Sequence, residues 1–249
     1  MNRLAPLHPT LFDALPGIVA GFSTRHGGVS EGPHTSLNLS LSIGDDAANV
    51  WENRRRLFES VGFSVDQVAY AGQVHGAEVV TVERAGLYRQ CDGLVTRQPG
   101  LLLCISAADC AAVLLADAEA RVIGACHAGW RGAAAHIVGG TVAKMARLGA
   151  EPPRLHAYIS PCISAERFEV GPEVAAQFAP AFVRHWPGKA KPHVDLKAAV
   201  AAQLRGAGVA PEHIEVSPHC TMGETDTFFS YRAERVPSGR MLGFVGMRG

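Results

Sequence analysis

Apolar residues fall along this chain in short, nearly continuous runs, and the densest of these lie between positions 101 and 126. The runs at 19–22, 78–82, 101–106, 111–115 and 122–126 have the length of strands. Several are apolar at successive positions, as strands covered on both faces are. Further strands are predicted at 155–159, 214–216 and 242–246. Helical spacing appears in three places. Asp45 or Asp46 caps a helix that runs through Asn53 and Leu57 and stops before Gly62. A second helix is expected over 132–148 with Gly149 as its C-cap, and a third over 195–205, closed before Gly208. The segment 187–192, with Pro at both ends and Gly188, Lys189 and Lys191 between, reads as an exposed loop. No internal repeat or linker interrupts the pattern. The expected fold is α/β, a single domain over 1–249 with a mixed sheet and flanking helices.

Length and composition are consistent with this pattern. A chain of 249 residues that is 47% hydrophobic can bury a sizeable core in one unit. Twenty-three basic residues balance twenty-three acidic ones, and no Lys/Arg block occurs, so no nucleic-acid partner is expected. A small molecule fits better. Only Arg3 gives early positive charge, and His8, Pro9, Asp13 and Pro16 break any apolar run near the N-terminus, so no signal peptide is read. The stretch 101–116 is too short to span a bilayer and contains Asp109, so no membrane association is expected. A cytoplasmic location follows, with the six cysteines reduced.

The segment Ala107 to Gly132 places Cys110 at the start of one predicted strand and His127 at the end of the next, seventeen residues later. A strand, a turn and a return strand bring such residues to the same sheet edge. His75, in Gln73-Val74-His75-Gly76, adds a second imidazole. One thiolate and two imidazoles form a zinc ligand set with the fourth position open. A buried cysteine beside ordinary core histidines is the bland alternative, and a cysteine nucleophile with a histidine base uses the same atoms. Asp92 and Asp109 are the nearest carboxylates in sequence, suited to orienting an imidazole or to acid/base work. Two arginines are candidates for holding an anion. Arg25 lies in the loop Ser23-Thr24-Arg25-His26-Gly27-Gly28. Arg131 lies near the start of the second helix, whose first amides would face the site. The aromatics of Asp226-Thr227-Phe228-Phe229-Ser230-Tyr231-Arg232 are expected in the core or in a pocket wall.

These pieces resemble the YfiH/YlmD family, also called the laccase-domain, polyphenol-oxidase-like or peptidoglycan-editing-factor family. The resemblance rests on Ser23-Thr24-Arg25, Gly27-Gly28-Val29-Ser30, Ser36-Leu37-Asn38-Leu39, Gln73-Val74-His75-Gly76, Asp92-Gly93-Leu94-Val95-Thr96, Ala108-Asp109-Cys110, His127-Ala128-Gly129-Trp130-Arg131-Gly132, Pro161-Cys162-Ile163 and Phe228-Phe229-Ser230-Tyr231-Arg232. They span almost the whole chain in the family's order. The chain departs from the family at Ser160, where a Gly is usual, and at Val200, where many members carry Asn.

The resemblance implies a fold distantly similar to bacterial toxin deamidase domains and a metal held by His75, Cys110 and His127. It implies a zinc-dependent purine nucleoside enzyme that phosphorolyses adenosine, inosine, guanosine and methylthioadenosine and deaminates adenosine. The substrates would then be a purine nucleoside and phosphate, with Arg25 or Arg131 holding the phosphate and Asp92 or Asp109 near the base. The alternative is an amidase that removes a wrong amino acid from a UDP-muramyl peptidoglycan precursor. A copper polyphenol oxidase fits less well, because a laccase needs several copper centres and this chain offers one Cys/His cluster and no His-x-His pair. Copper remains the alternative metal. A binding module that senses nucleosides without turnover is the reading from outside enzymes.

Overall fold

The computed structural model describes residues 4–235 and 237–249. Its strands are β1 (Ile18–Phe22), β2 (Val68–Gly72), β3 (Val79–Thr81), β4 (Gly86–Arg89), β5 (Gly93–Thr96), β6 (Leu102–Ala107), β7 (Ala111–Asp117), β8 (Val122–Ala128), β9 (His156–Ile159), β10 (Val183–Arg184), β11 (His193–Val194), β12 (Ile214–Val216) and β13 (Met241–Met247). The helices are α1 (Ala47–Ser60), α2 (Trp130–Ala134), α3 (Ile137–Arg147), α4 (Pro172–Ala175), α5 (Leu196–Gly206) and α6 (Tyr231–Glu234).

The strands form two main sheets, where the sequence suggested one. The five-stranded sheet has the order β1-β13-β6-β2-β4, the six-stranded sheet β12-β9-β7-β8-β5-β3, and β10 and β11 make a separate ribbon. Both main sheets are mixed. β6 runs antiparallel to β13 and parallel to β2, while β7 is antiparallel to both β8 and β9.

The apolar runs explain the layering. On β6, Leu103 and Ile105 join a core shared with Ala112, Leu114 and Ala116 of β7, so these alternate positions fill the space between the sheets. The other face of β6, at Leu102 and Cys104, packs with Leu57 and Phe58 of α1. The other face of β7, at Val113 and Leu115, packs with Val138, Val142 and Met145 of α3 and Val200 and Leu204 of α5. The result is a helix–sheet–sheet–helix stack in which each central strand is covered on both sides. Apolar residues at every position are what such strands require.

Three further expectations are corrected. The helix expected over 132–148 is two helices, because His136 adopts a left-handed conformation (φ 58°) between α2 and α3. The first of them has only five residues, so it presents no substantial helix terminus to the site. Residues 187–191 are exposed as expected, but Pro192 is buried, and its carbonyl accepts a hydrogen bond from Val170 N. Asp46 caps α1, its carboxylate accepting from Ala48 N at 2.8 Å. No helix among the described residues is long and apolar enough to cross a membrane.

Candidate functional site

The chain passes from one sheet to the other through Ala108-Asp109-Cys110, the connection between β6 and β7. Cys110 therefore stands where the two sheets meet. His127 lies on β8, opposite Ala112 in the antiparallel ladder, which brings it to the same end of the six-stranded sheet. His75 arrives from the other sheet, just beyond β2. The Gln73 side chain extends that ladder: its amide nitrogen donates to Ser106 O and its amide oxygen accepts from Ser106 N, both at 2.8 Å. This pins the segment that carries His75 against β6.

The three ligand-type atoms of His75, Cys110 and His127 lie within 4.8 Å of one another. The two imidazoles meet edge to face, with ring centroids 4.9 Å apart. Gly129 leaves room for them, since a Cβ there would sit 2.9 Å from Cys110 Sγ, 3.5 Å from His127 Cε1 and 3.6 Å from His75 Cδ2. His75 (φ 60°) and Asp109 (φ 82°) both hold positive φ without being glycine, a strained conformation that clusters at functional sites.

Asp92 links the two histidines. Its carboxylate is fully buried and accepts from the backbone N–H groups of Val74, His75 and Gly76 at 3.0, 3.0 and 2.8 Å. Oδ1 also lies 2.9 Å from His127 Nδ1. An ionised carboxylate only accepts, so Nδ1 carries a proton and Nε2 is the nitrogen left to bind a metal when the ring is neutral. Burial pushes the Asp92 carboxyl up, but His127 and the N–H donors outweigh it and hold the group below its ordinary value. Burial likewise pushes the Cys110 thiol up, yet the His127 and His75 rings bring it down to about 6. His127, opposed by burial, is raised by the Cys110 sulfur and Asp92. The cluster therefore favours a thiolate, the form that binds metal or attacks.

Asp109 lines the cavity and accepts hydrogen bonds on both oxygens. Oδ1 accepts from Thr221 Oγ1 at 2.7 Å and Ser230 Oγ at 2.8 Å, and Oδ2 from Arg232 N at 2.6 Å. Both oxygens hold the C-terminal loops around Cys110. Arg25 is not brought to the cluster at all. Its guanidinium donates from Nε to Thr35 O and from Nη1 to Thr225 O and Glu234 Oε1, and it lies 4.4 Å from the Phe229 ring centroid, so it is held inside the fold. Arg131 does reach the cavity wall, exposed and stacked 4.3 Å from the Trp130 centroid.

That cavity has a volume of about 1330 Å³, and His75, Cys110 and His127 line one end of it. Phe228 and Phe229 are core residues, whereas Tyr231 is half-exposed on the cavity wall. Arg54, Tyr70 and Arg240 also line the cavity and were not singled out from sequence. For Arg240 a cue existed: it is a lone cation directly before the apolar run of β13, which pairs with β6 just ahead of Cys110. For Arg54 there was none, because a basic residue within a helix reads as a solvated face. Of the two departures from the family, Ser160 is buried, its hydroxyl accepting from Ala112 N at 2.9 Å, and Val200 is a core residue of α5.

Comparison with known proteins identifies the relatives. The family model described as multi-copper polyphenol oxidoreductase laccase matches residues 19–248. A purine nucleoside phosphorylase of Deinococcus radiodurans is 44% identical over 245 residues, covering 98% of this chain and 94% of the relative. Purine nucleoside phosphorylase YlmD of Geobacillus stearothermophilus is 37% identical over 249 residues, covering 93% and 91%. The crystal structure of that YlmD superposes with a TM-score of 0.89 over 97% of this chain and 94% of the other, at 36% identity. The Bacillus licheniformis hypothetical protein YfiH gives 0.92 over both full chains at 29% identity. With almost the whole chain matched in sequence and in fold, this protein belongs to the laccase-like YfiH/YlmD family.

Proposed function

We propose that this chain is a metal-dependent purine nucleoside phosphorylase. The observation that carries the reading is the convergence of His75, Cys110 and His127 at one end of a cavity large enough for a nucleoside and phosphate. The names of relatives at 37–44% identity support the same chemistry. One thiolate and two imidazoles, one of them oriented by a buried carboxylate, fit zinc with an open position. A bound zinc would supply Lewis-acid polarisation of a substrate oxygen or nitrogen. Copper fits the same donors. A multi-copper oxidase would need further ligand clusters, and His75, Cys110 and His127 make the only group of three among the described residues.

Phosphorolysis forms a bond from a phosphate oxygen to ribose C1′ and breaks the C1′–N9 bond, whose electron pair leaves with the purine. Positive charge grows on the ribose and negative charge on the base. Arg131 at the cavity wall suits the incoming phosphate, and half-buried Arg240 lies on the same wall. Trp130, Phe168 and Tyr231 offer aromatic surface for a purine. Asp92 positions His127 and is fully buried. Methylthioadenosine phosphorolysis and adenosine deamination belong to this proposal as activities of the same cavity, in a cytoplasmic enzyme.

The test is incubation of zinc-loaded wild type and a His75→Ala, Cys110→Ala variant with inosine or adenosine and phosphate, followed by chromatography. Free base with ribose 1-phosphate, absent in the variant and after chelation, is expected. No turnover at full metal occupancy, with release of an amino acid from a muramyl precursor instead, would overturn the reading in favour of the amidase.

A further inference from the structure

An arginine without a counter-ion lines the cavity. Arg54 projects from α1 and is only 9% exposed. Its Nε donates to Leu39 O at 2.9 Å. Its guanidinium carbon lies 5.1 Å from the Trp51 ring centroid and 4.5 Å from that of Tyr70, so its faces are covered by aromatic rings. Among the described residues no carboxylate forms an ion pair with Arg54, Arg131, Arg232 or Arg240 of the cavity wall, and of these Arg54 is the most buried. Beside it, the Tyr70 hydroxyl is buried, with the Arg54 guanidinium as its neighbour and no acceptor for its proton among the described residues.

Both groups line the cavity. The acids lining it are Asp66, which accepts from Ser64 Oγ, and Asp109, whose oxygens are occupied as described above. A buried cation and a buried hydroxyl each cost free energy unless something pairs with them, and such groups in native proteins are almost always paired. Their missing partner is an anion with several acceptor oxygens, entering from the cavity.

We propose that Arg54 and Tyr70 form a seat for a phosphoryl group carried by the substrate, so that the cavity accepts 5′-phosphorylated purine nucleosides. This deepens the phosphorylase reading and rests on it for the identity of the purine. Tyr70 precedes His75 by five residues, which bounds their Cα separation at about 18 Å. Tyr70 lies opposite Cys104 on β6, along the strand before the turn to Cys110, a position that suits a group at the far end of a nucleoside. The cavity is also larger than the roughly 300–1,000 Å³ usual for small-ligand sites, so a nucleoside alone leaves space unfilled. The exposed Leu41, Trp51 and Leu87 also line the cavity and add apolar surface to it.

The experiment is calorimetric titration of metal-loaded protein with adenosine 5′-monophosphate, adenosine and inorganic phosphate, using wild type, Arg54→Gln and Tyr70→Phe. Wild type should bind the monophosphate at least tenfold more tightly than adenosine. Arg54→Gln should abolish that preference and Tyr70→Phe should weaken it several-fold, with adenosine affinity changed by less than twofold. Tyr70→Phe keeps the ring, so it tests the seat even where Arg54→Gln lowers stability. A monophosphate bound no more tightly than adenosine by wild type, or a preference that survives both substitutions, overturns the proposal. Weakening confined to inorganic phosphate also overturns it, by assigning the seat to the free co-substrate. Binding needs no turnover, so loss of the phosphorylase reading and loss of the seat are separately visible.

Discussion

Asp92 shows how much of this site depends on a fully buried carboxylate. It binds the backbone of the His75 loop with three N–H bonds and the His127 ring with a fourth contact, so one carboxylate sets the relative position of two ligands from different sheets. Asp92→Asn keeps the shape but can no longer accept at both oxygens, and it does not fix the His127 tautomer. Metal affinity should fall by about 10–100-fold, as measured by competition with a chromophoric chelator, while the fold persists. Unchanged affinity would mean that His127 is positioned by packing alone. The sequence made Cys110, His127 and His75 legible, because thiolate and imidazole at strand ends stand out against apolar runs. It left the role of Asp92 open between orienting and acid/base work, and Arg25 looked as available as Arg131 until Thr35, Thr225 and Glu234 were seen to hold its guanidinium inside the fold.

At the scale of elements, the end of β7 gives the clearest pH dependence. Asp117 is 1% exposed, and its carboxylate accepts from Ala120 N, Glu151 N and the Arg154 guanidinium. Burial pushes this carboxyl up, but the two N–H donors and Arg154 hold it below its ordinary value. A carboxyl lowered in the folded state stabilises the protein above its unfolded pKa, near 4, and the contribution is lost as the pH falls through the folded value. Asp117→Asn should therefore cost about 1–3 kcal/mol at pH 7 and progressively less below pH 4, as followed by urea denaturation across that range. An equal cost at every pH would assign the effect to packing. The elements themselves were read with uneven success for physical reasons. β6, β7, β8 and β13 are long and apolar and were recognised. β2, β4 and β5 were missed, since each has a glycine at one end that reads as a turn and β4 is mostly exposed at the edge of its sheet. The break between α2 and α3 carries no Gly or Pro signal; it lies in the backbone of His136.

For the whole molecule, the decisive feature is the contact between the two sheets. Gly243 of β13 faces Ala112 of β7, and a Cβ at position 243 would lie 2.6 Å from the Ala112 Cβ, with Phe22 and Leu114 close behind. Neither sheet can move away without disturbing the connection that carries Cys110. Gly243→Ala should cost about 1–3 kcal/mol by overpacking, and thermal denaturation monitored by circular dichroism would measure it. Because Ala112 lies two residues after Cys110, the same variant should bind metal less tightly; full affinity in a destabilised variant would show that the site tolerates a shift between the sheets.

The fold class, the strands at the centre of the sheets and the three members of the Cys/His cluster were legible in the amino-acid sequence. Each depends on local pattern: apolar runs, capping residues and the type of side chain at the strand ends. That there are two sheets instead of one, that Asp92 ties the histidines together while Asp109 accepts from Thr221, Ser230 and Arg232, and that Arg54 lines the cavity where Arg25 does not, came from the folded chain. Those outcomes depend on which partner occupies each hydrogen-bonding group, and partners up to two hundred residues away, such as Glu234 for Arg25, are set by chain topology, which no local pattern encodes.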